Sequence, residues 1–326
     1  MENSNMFKNR IDLEELNQTV HQIKAEISKV IIGQERMLDL LMVALLAKGH
    51  VLIEGVPGVA KTLTARLMAK TISSDFSRIQ FTPDLMPSDI LGTTIFNMAT
   101  SKFEFNKGPI FSNIVLIDEI NRAPAKTQAA LFEVMQENQV SIDSTTHNLD
   151  EPFWVVATQN PIEQEGTYRL PEAQLDRFLM KINVGYPNLS QEIQILSTKH
   201  QRKGMQDDQE ISALLSSLQI RDFQNRIQSL HIEENLMGYI AQIVHSTRNH
   251  PSLTLGASPR ASVCVMMAAK AFAAIQGRDF VTPEDIREIA VPVLHHRLIL
   301  TPEKEMEGVS SDQVMGQIIA SIEVPR

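Results

Sequence analysis

Residues 55–62 of the chain read Gly55-Val56-Pro57-Gly58-Val59-Ala60-Lys61-Thr62, and they directly follow the largely apolar segment His50-Val51-Leu52-Ile53-Glu54. This succession predicts a phosphate-binding turn between a buried strand and a helix. Its spacing matches the pattern G-x-x-x-x-G-K-[ST], except that Ala60 stands where the second glycine is expected. In such a loop the backbone N–H groups surround a phosphate, Lys61 neutralises charge at the β- and γ-oxygens, and Thr62 holds Mg²⁺. An ordinary Gly/Pro turn that opens a helix is the alternative.

Composition indicates an ordinary globular protein of two or three domains, because 326 residues exceed what one core comfortably buries. A formal net charge of −9 argues against attraction to nucleic acid or to an anionic membrane. The polar amino terminus lacks the apolar stretch of a secretory peptide, and no apolar run approaches the length of a bilayer span. We therefore expect no membrane insertion and a cytoplasmic location. Cys264 is the single cysteine, so an intrachain disulfide is excluded.

Short apolar runs alternate with helical patterns in the first part of the chain. The runs predict five buried strands, namely Val51–Glu54, Arg78–Phe81, Ile114–Asp118, Phe153–Thr158 and Leu179–Val184. Near-continuous apolar strands separated by helices are typical of a parallel sheet that is covered by helices on both faces. The sequence therefore predicts an α/β fold with a five-stranded parallel sheet.

Two period-two patterns interrupt this alternation and predict inserted hairpins. Their strands are Thr93–Met98 with Lys102–Phe105, and Val140–Asp143 with His147–Leu149. The hairpins are either additions at the edge of the fold without a role in binding or elements that bind a partner, and the sequence pattern does not decide between these two interpretations.

Strand signals stop near residue 187, and the remainder is helical in pattern. Ser258-Pro259 and Thr282-Pro283 each combine an N-cap residue with proline at the first helical position. We predict an α/β nucleotide-binding domain over residues 1–187, including an N-terminal helix, and a smaller all-helical domain over residues 188–326.

Polar residues that suit nucleotide chemistry follow two of the predicted strands. Asp118 and Glu119 lie at the carboxyl end of the third strand, where open α/β sheets bind ligands. We predict that Asp118 orients the Mg²⁺ shell and that Glu119 polarises the water that attacks the γ-phosphate. Asn160 follows the fourth strand, and its amide could bond the γ-phosphate and the water together. Taken singly, Asp118-Glu119 has the alternative of a solvated acidic loop, and Asn160 has the alternative of a turn asparagine before proline.

In combination the chain resembles the AAA+ ATPases, and among them the MoxR family, over nearly its whole length. Residues 55–62 are similar to the Walker A motif, residues 114–119 to Walker B, and Asn160 to sensor 1. The strings that look specifically MoxR-like are Lys107-Gly108-Pro109-Ile110-Phe111, Asp118-Glu119-Ile120-Asn121-Arg122-Ala123 and Leu170-Pro171-Glu172-Ala173-Gln174-Leu175-Asp176-Arg177-Phe178. The implied fold is a P-loop core with two inserted hairpins, followed by a helical lid.

The resemblance implies three further site residues. Arg177 would be an arginine finger that reaches the nucleotide of a neighbouring subunit, and the alternative is a surface ion pair with Asp176 or Glu172. Arg260 would be sensor 2, contacting the γ-phosphate in cis, and otherwise it is a solvated arginine. Ile32 lies in the turn that matches the adenine-binding region of the family.

The function implied by the resemblance is Mg²⁺-dependent ATP hydrolysis by a homohexameric ring. The ring would remodel or mature protein partners, typically proteins with a von Willebrand factor A domain. A nucleic-acid motor of the helicase type is the alternative, although the hairpins carry few basic residues. A nucleotide-binding switch without turnover is a third possibility, which the complete catalytic positions disfavour.

Overall fold

The computed structural model describes residues 11–143, 145–161, 168, 170–202 and 211–325. Its α-helices are α1 (Glu14–Ser28), α2 (Glu35–Leu46), α3 (Lys61–Lys70), α4 (Pro87–Leu91), α5 (Ala125–Glu137), α6 (Glu172–Leu175), α7 (Leu189–Arg202), α8 (Ser217–Gln228), α9 (Glu234–Arg248), α10 (Pro259–Ile275), α11 (Pro283–Leu294), α12 (Pro302–Met306) and α13 (Ser311–Ser321). Its strands are β1 (Val51–Gly55), β2 (Ile72–Ser73), β3 (Phe76–Gln80), β4 (Gly92–Asn97), β5 (Lys102–Lys107), β6 (Ile114–Asp118), β7 (Gln139–Ile142), β8 (Thr145–Asn148), β9 (Trp154–Gln159), β10 (Met180–Val184), β11 (Leu215–Ser216), β12 (Leu253–Leu255) and β13 (Ile299–Leu300).

The chain divides into two compact units. Among the described residues, one unit draws on the ranges 23–38 and 48–221, and the other on the ranges 11–22, 39–47 and 222–325. The predicted domain boundary at residue 187 stays a prediction.

The first unit is built on a parallel sheet with the strand order β10-β1-β9-β6-β3, which confirms the five-stranded sheet. Strands β1, β6 and β9 are central and almost fully buried, as their apolar sequences require. Because the strands are parallel, the residues after Gly55, Gln159 and Asp118 emerge at the carboxyl ends of the strands, on one side of the sheet. The phosphate loop and the predicted catalytic residues therefore start from the same side.

Strand β3 differs from the predicted buried strand. It is an outermost strand of the sheet, in which Ile79 faces the core while Arg78 and Gln80 stay accessible to solvent. An edge strand has a sheet neighbour on one side only, so polar side chains on it cost little.

The two inserted hairpins are confirmed. Strand β4 pairs antiparallel with β5, and β7 pairs antiparallel with β8. Phe105 of the first hairpin stacks on His147 of the second, with ring centroids 4.5 Å apart. Phe96 and Phe103 form an edge-to-face pair on the first hairpin and remain exposed.

A buried histidine connects the start of β1 with β9 and α5 in the first unit. His50 precedes β1, its Nδ1 accepts from the backbone N–H of Val155 at 3.0 Å, and its Nε2 lies 3.2 Å from the carbonyl of Met135. Burial lowers the pKa of His50 to about 4, the hydrogen bond to Met135 partly opposing this effect. The ring is therefore neutral in the folded protein, with its proton on Nε2.

This histidine predicts a loss of stability in mild acid. Below pH 6.5 the unfolded chain protonates His50 while the folded protein resists protonation until about pH 4, so stability falls as pH falls through that window. We expect a loss of about 2 kcal/mol between pH 7 and pH 5, and about 3 kcal/mol over the whole window. Urea unfolding of wild type, His50→Gln and the exposed-site control His21→Gln at both pH values measures it. A His50 ring that titrates near pH 6.5 by NMR in the folded protein would contradict the prediction.

The second unit is helical around α9, α10, α11 and α13, and it buries a core rich in alanine and isoleucine. Helix α11 begins with a capping box, in which the Thr282 N–H donates to the Asp285 carboxylate at 2.8 Å. Asp285 is also paired with Arg278 at 2.5 Å. The structure confirms that helices begin at Pro259 and at Pro283, as the sequence predicts. The unit also contains the short antiparallel pair β12–β13, which the helical pattern does not indicate.

Across the described ranges, no helix is both long enough and apolar enough to span a bilayer.

Candidate nucleotide site

The phosphate loop joins β1 to α3 through two residues in the left-handed region. Gly58 has φ +86°, and Ala60 has φ 61° immediately before Lys61 begins the helix. A left-handed conformation suits glycine and costs an L-residue about 1–2 kcal/mol, so Ala60 keeps the conformation of the missing glycine at some strain. Gly55 is required for another reason, because a Cβ there would lie 2.5 Å from the carbonyl oxygen of Val184. The loop thus keeps the backbone form of a phosphate-binding turn.

Lys61 points back into its own loop. Its Nζ donates to the carbonyl of Gly55 and to that of Val56, the latter at 3.1 Å. The ammonium is therefore held over the loop at the start of α3, where the N–H groups of the first helical turn also lie. This placement suits neutralisation of a bound phosphate.

Asp118 connects the phosphate loop to the central strands. Its Oδ1 accepts from the hydroxyl of Thr62 at 2.7 Å and from that of Thr158 at 3.2 Å, while Oδ2 accepts from Arg78 Nε at 2.7 Å. The residue is only 3% exposed. A hydroxyl and a carboxylate held together are oxygen donors of the kind that Mg²⁺ takes, so Thr62 and Asp118 fit the predicted metal role.

Glu119 leaves the end of β6 in a left-handed conformation, with φ 56°. Its backbone N–H donates to the hydroxyl of Thr158 at 3.1 Å, which fixes the turn. Its carboxylate oxygen Oε2 accepts from Gln80 at 2.9 Å and lies 3.1 Å from Arg122 Nε. A non-glycine residue at positive φ costs about 1–3 kcal/mol, and such strain clusters at functional sites.

These residues surround one cavity of about 520 Å³. Its lining comprises residues 57–62 of the phosphate loop, Leu63 of α3, and Arg78, Gln80, Asp118, Glu119, Thr158, Gln159 and Asn160. The predicted loop residues Gly55 and Val56 are not part of this lining. Asn160 is buried at the end of β9. The structure therefore brings the loop, the acidic pair and the asparagine into one pocket, as their positions at strand ends predict.

Comparison with known protein families agrees with this geometry. Residues 50–180 match the family described as "ATPase family associated with various cellular activities (AAA)", and residues 245–318 match the "AAA lid domain". Chaperone MoxR1 of Mycobacterium tuberculosis (strain ATCC 25618 / H37Rv) is 43% identical over 317 residues, covering 94% of this chain and 83% of the relative. The chain belongs to the MoxR family of AAA+ ATPases.

Further relatives match the chain over almost its full length. YeaC of Bacillus subtilis (strain 168), an uncharacterized protein, is 45% identical over 312 residues, covering 96% of this chain and 97% of YeaC. A crystal structure from Cytophaga hutchinsonii ATCC 33406, of a protein designated an ATPase, superimposes with a TM-score of 0.87 at 43% identity. That match covers 96% of this chain and 97% of the other, so the fold of a core with a lid is shared throughout.

The other predicted site residues of this MoxR protein lie outside the cavity lining. Arg177 follows α6, and its Nη1 donates to the carbonyl of Phe132 on α5 at 2.5 Å. Ile32 is half-buried in the turn between α1 and α2. Arg260 is exposed in the first turn of α10, in the second unit. Their roles toward nucleotide remain predictions.

Sequence reasoning missed three residues that hold the acidic pair. Thr158 bridges Asp118 and Glu119, Gln80 contacts Glu119, and Arg78 contacts Asp118. Arg78 and Gln80 alternate with the buried Ile79, and this period-two spacing would have placed both on one face of a strand. The signal was present, but a buried assignment for the strand concealed it.

Proposed function

We propose that this chain binds and hydrolyses ATP with Mg²⁺, as a ring-forming motor that remodels protein partners. One observation carries the hydrolytic part of the proposal. The Thr62 hydroxyl of the phosphate loop lies 2.7 Å from Asp118 Oδ1, and Glu119 follows Asp118 on the wall of the same cavity. A phosphate cradle, oxygen donors for a metal and a candidate base therefore line one pocket.

Each residue has a distinct chemical task in this proposal. The loop N–H groups and Lys61 hold and neutralise the β- and γ-phosphates. Glu119 accepts a proton from the attacking water, while Gln80 and Arg122 hold its carboxylate in place. Asn160 orients the water from the end of β9. Thr62 and Asp118 would hold Mg²⁺, which when bound supplies charge stabilisation at the phosphate oxygens.

A magnesium titration tests this assignment. We expect phosphate release from ATP to require added Mg²⁺ and to stop in EDTA. Asp118→Asn should raise the Mg²⁺ concentration for half-maximal activity, or lower activity, by about 10- to 100-fold because the amide carries no charge. The exposed carboxylate Asp150 provides the control, and Asp150→Asn should behave like wild type. Undiminished turnover in EDTA would contradict a metal role for Thr62 and Asp118.

The protein-remodelling part draws support from the first hairpin and from a relative. The hairpin of β4 and β5 presents Ile95, Phe96 and Phe103 on its strands and Met98 in its turn to solvent, and exposed apolar patches of this kind mark protein interaction sites. The relative from M. tuberculosis is named a chaperone. Together with the net charge of −9, these features favour a protein partner over nucleic acid. We propose a cytoplasmic homohexamer, with von Willebrand factor A domain proteins as the partner class to test first.

A substrate-trapping experiment separates the partner classes. Tagged Glu119→Gln protein, loaded with Mg²⁺ and ATP, should form rings of hexamer mass by light scattering and retain von Willebrand factor A domain proteins from a lysate. The same protein without nucleotide is the control. A protein that stays monomeric with ATP would contradict the ring. Strong, salt-dependent stimulation of wild-type turnover by single-stranded DNA would support the helicase alternative instead.

A further inference from the structure

Arg78 is a cation at the cavity for which the proposed reaction assigns no task. It lies on the edge strand β3, its side chain is 49% exposed, and it lines the same cavity as the phosphate loop. Its one ionic contact among the described residues is to Asp118, whose side chain is 4% exposed. A buried carboxylate needs a counter-charge, and Arg78 supplies it.

The guanidinium retains donors beyond this contact. Arginine has five N–H donors in a rigid planar fork, which matches the oxygens of a phosphate. Asp118 takes Nε at 2.7 Å, and within the described ranges no other group accepts from Arg78. The two terminal nitrogens can therefore donate to a ligand in the cavity without release of Asp118.

Arg78 also balances the charge of the side chains that line the cavity. Of the described residues in its lining, Lys61 and Arg78 are cationic, and Asp118 and Glu119 are anionic. Without Arg78 the lining would carry a net negative charge. In the metal-free site Lys61 would then be the one cation among these lining residues that offsets the two carboxylates, and binding of the terminal phosphate of a triphosphate, the group that must come nearest to Glu119 in the proposed reaction, would weaken.

We propose that Arg78 binds the terminal phosphate of the nucleotide and gives the site its preference for a triphosphate over a diphosphate. The proposal deepens the ATPase function and rests on it. Anchoring by Asp118 fixes the guanidinium at low entropic cost, so the free end of the fork is pre-organised for phosphate. Arg78 would thus link the terminal phosphate to the residue assigned to the metal.

Calorimetric binding of AMP-PNP and of ADP, with Mg²⁺ and again in EDTA, tests this assignment. For Arg78→Ala we expect AMP-PNP affinity to fall about 10- to 100-fold, the value of a charge-assisted hydrogen bond, in both conditions. ADP affinity should change by less than about 3-fold. Arg78→Lys keeps a cation for Asp118 but loses the fork, so its selectivity should fall by an intermediate factor. Arg221 is 51% exposed, and Arg221→Ala is the matched control.

Other outcomes would overturn the proposal in distinguishable ways. Equal loss of both affinities would make Arg78 only the counter-ion of Asp118, and unchanged affinities would make it a surface ion pair. If Arg78→Ala melts well below wild type, Arg78→Lys decides, and unaltered selectivity in that variant rejects the proposal. Wild-type protein that binds AMP-PNP through Arg78 yet releases no phosphate from ATP would refute the ATPase function alone. Wild-type protein that binds neither nucleotide would refute both.

Discussion

Glu119→Gln is expected to lower kcat for ATP hydrolysis by about 10²–10⁴-fold, which is the usual contribution of a general base. Glutamine keeps the length of the side chain and can still accept from Gln80, which now donates to Glu119 at 2.9 Å. It cannot accept a proton from water. The metal and phosphate contacts assigned to Thr62, Asp118 and Lys61 are untouched, so nucleotide affinity should be preserved.

Phosphate release and nucleotide binding, measured on the same preparation, separate these two effects. The control is Glu133→Gln, which alters an exposed carboxylate on α5 and should leave kcat unchanged. If Glu119→Gln hydrolyses ATP at the wild-type rate, the attacking water is activated by another group. If it fails to bind ATP, Glu119 acts in binding rather than in catalysis.

Arg177→Ala is expected to have the largest effect, a fall of about 10³–10⁵ in kcat, because an arginine finger stabilises the charge of the transition state. Arg177 lies outside the cavity of its own subunit and donates to Phe132 at 2.5 Å, so its proposed task is at the nucleotide of a neighbour. ATP affinity of the isolated subunit should change little, because the loop and the acidic pair do not involve this side chain.

The measurement is phosphate release at a protein concentration where wild-type rings are assembled, with assembly of the variant checked by light scattering. Arg287→Ala, which removes an exposed arginine of α11, is the control and should match wild type. Full activity of an assembled Arg177→Ala ring would limit Arg177 to a structural role, namely its hydrogen bond to Phe132 of α5.

The sequence predicts the sheet well because its signals are local. Near-continuous apolar strands such as β1 and β6 can only be buried, and parallel pairing then brings their carboxyl ends together. The phosphate loop is equally local, and Ala60 adopts the left-handed conformation that the missing glycine would take. The convergence of Thr62, Asp118, Glu119 and Asn160 follows from these two facts.

What the sequence does not predict depends on contacts between distant segments. The edge position of β3 beside β6 is decided by strand order, and with the period-two spacing of Arg78 and Gln80 it brings both side chains to the acidic pair. The pair β12–β13 joins segments about 45 residues apart, and both strands are too short to leave a period-two signal. The positive φ of Glu119 is likewise fixed by tertiary contacts, because Thr158 accepts its N–H from a neighbouring strand.

A subunit-mixing experiment tests most directly the central claim that neighbouring subunits share each active site. Lys61→Ala removes the loop cation, Arg177→Ala removes the proposed finger, and each variant alone should be nearly inactive. In randomly mixed rings, about one quarter of the interfaces would combine an intact loop with an intact finger from the neighbour. We predict that mixing restores ATPase activity toward about one quarter of the wild-type rate. No recovery in rings confirmed to contain both variants would contradict the shared site.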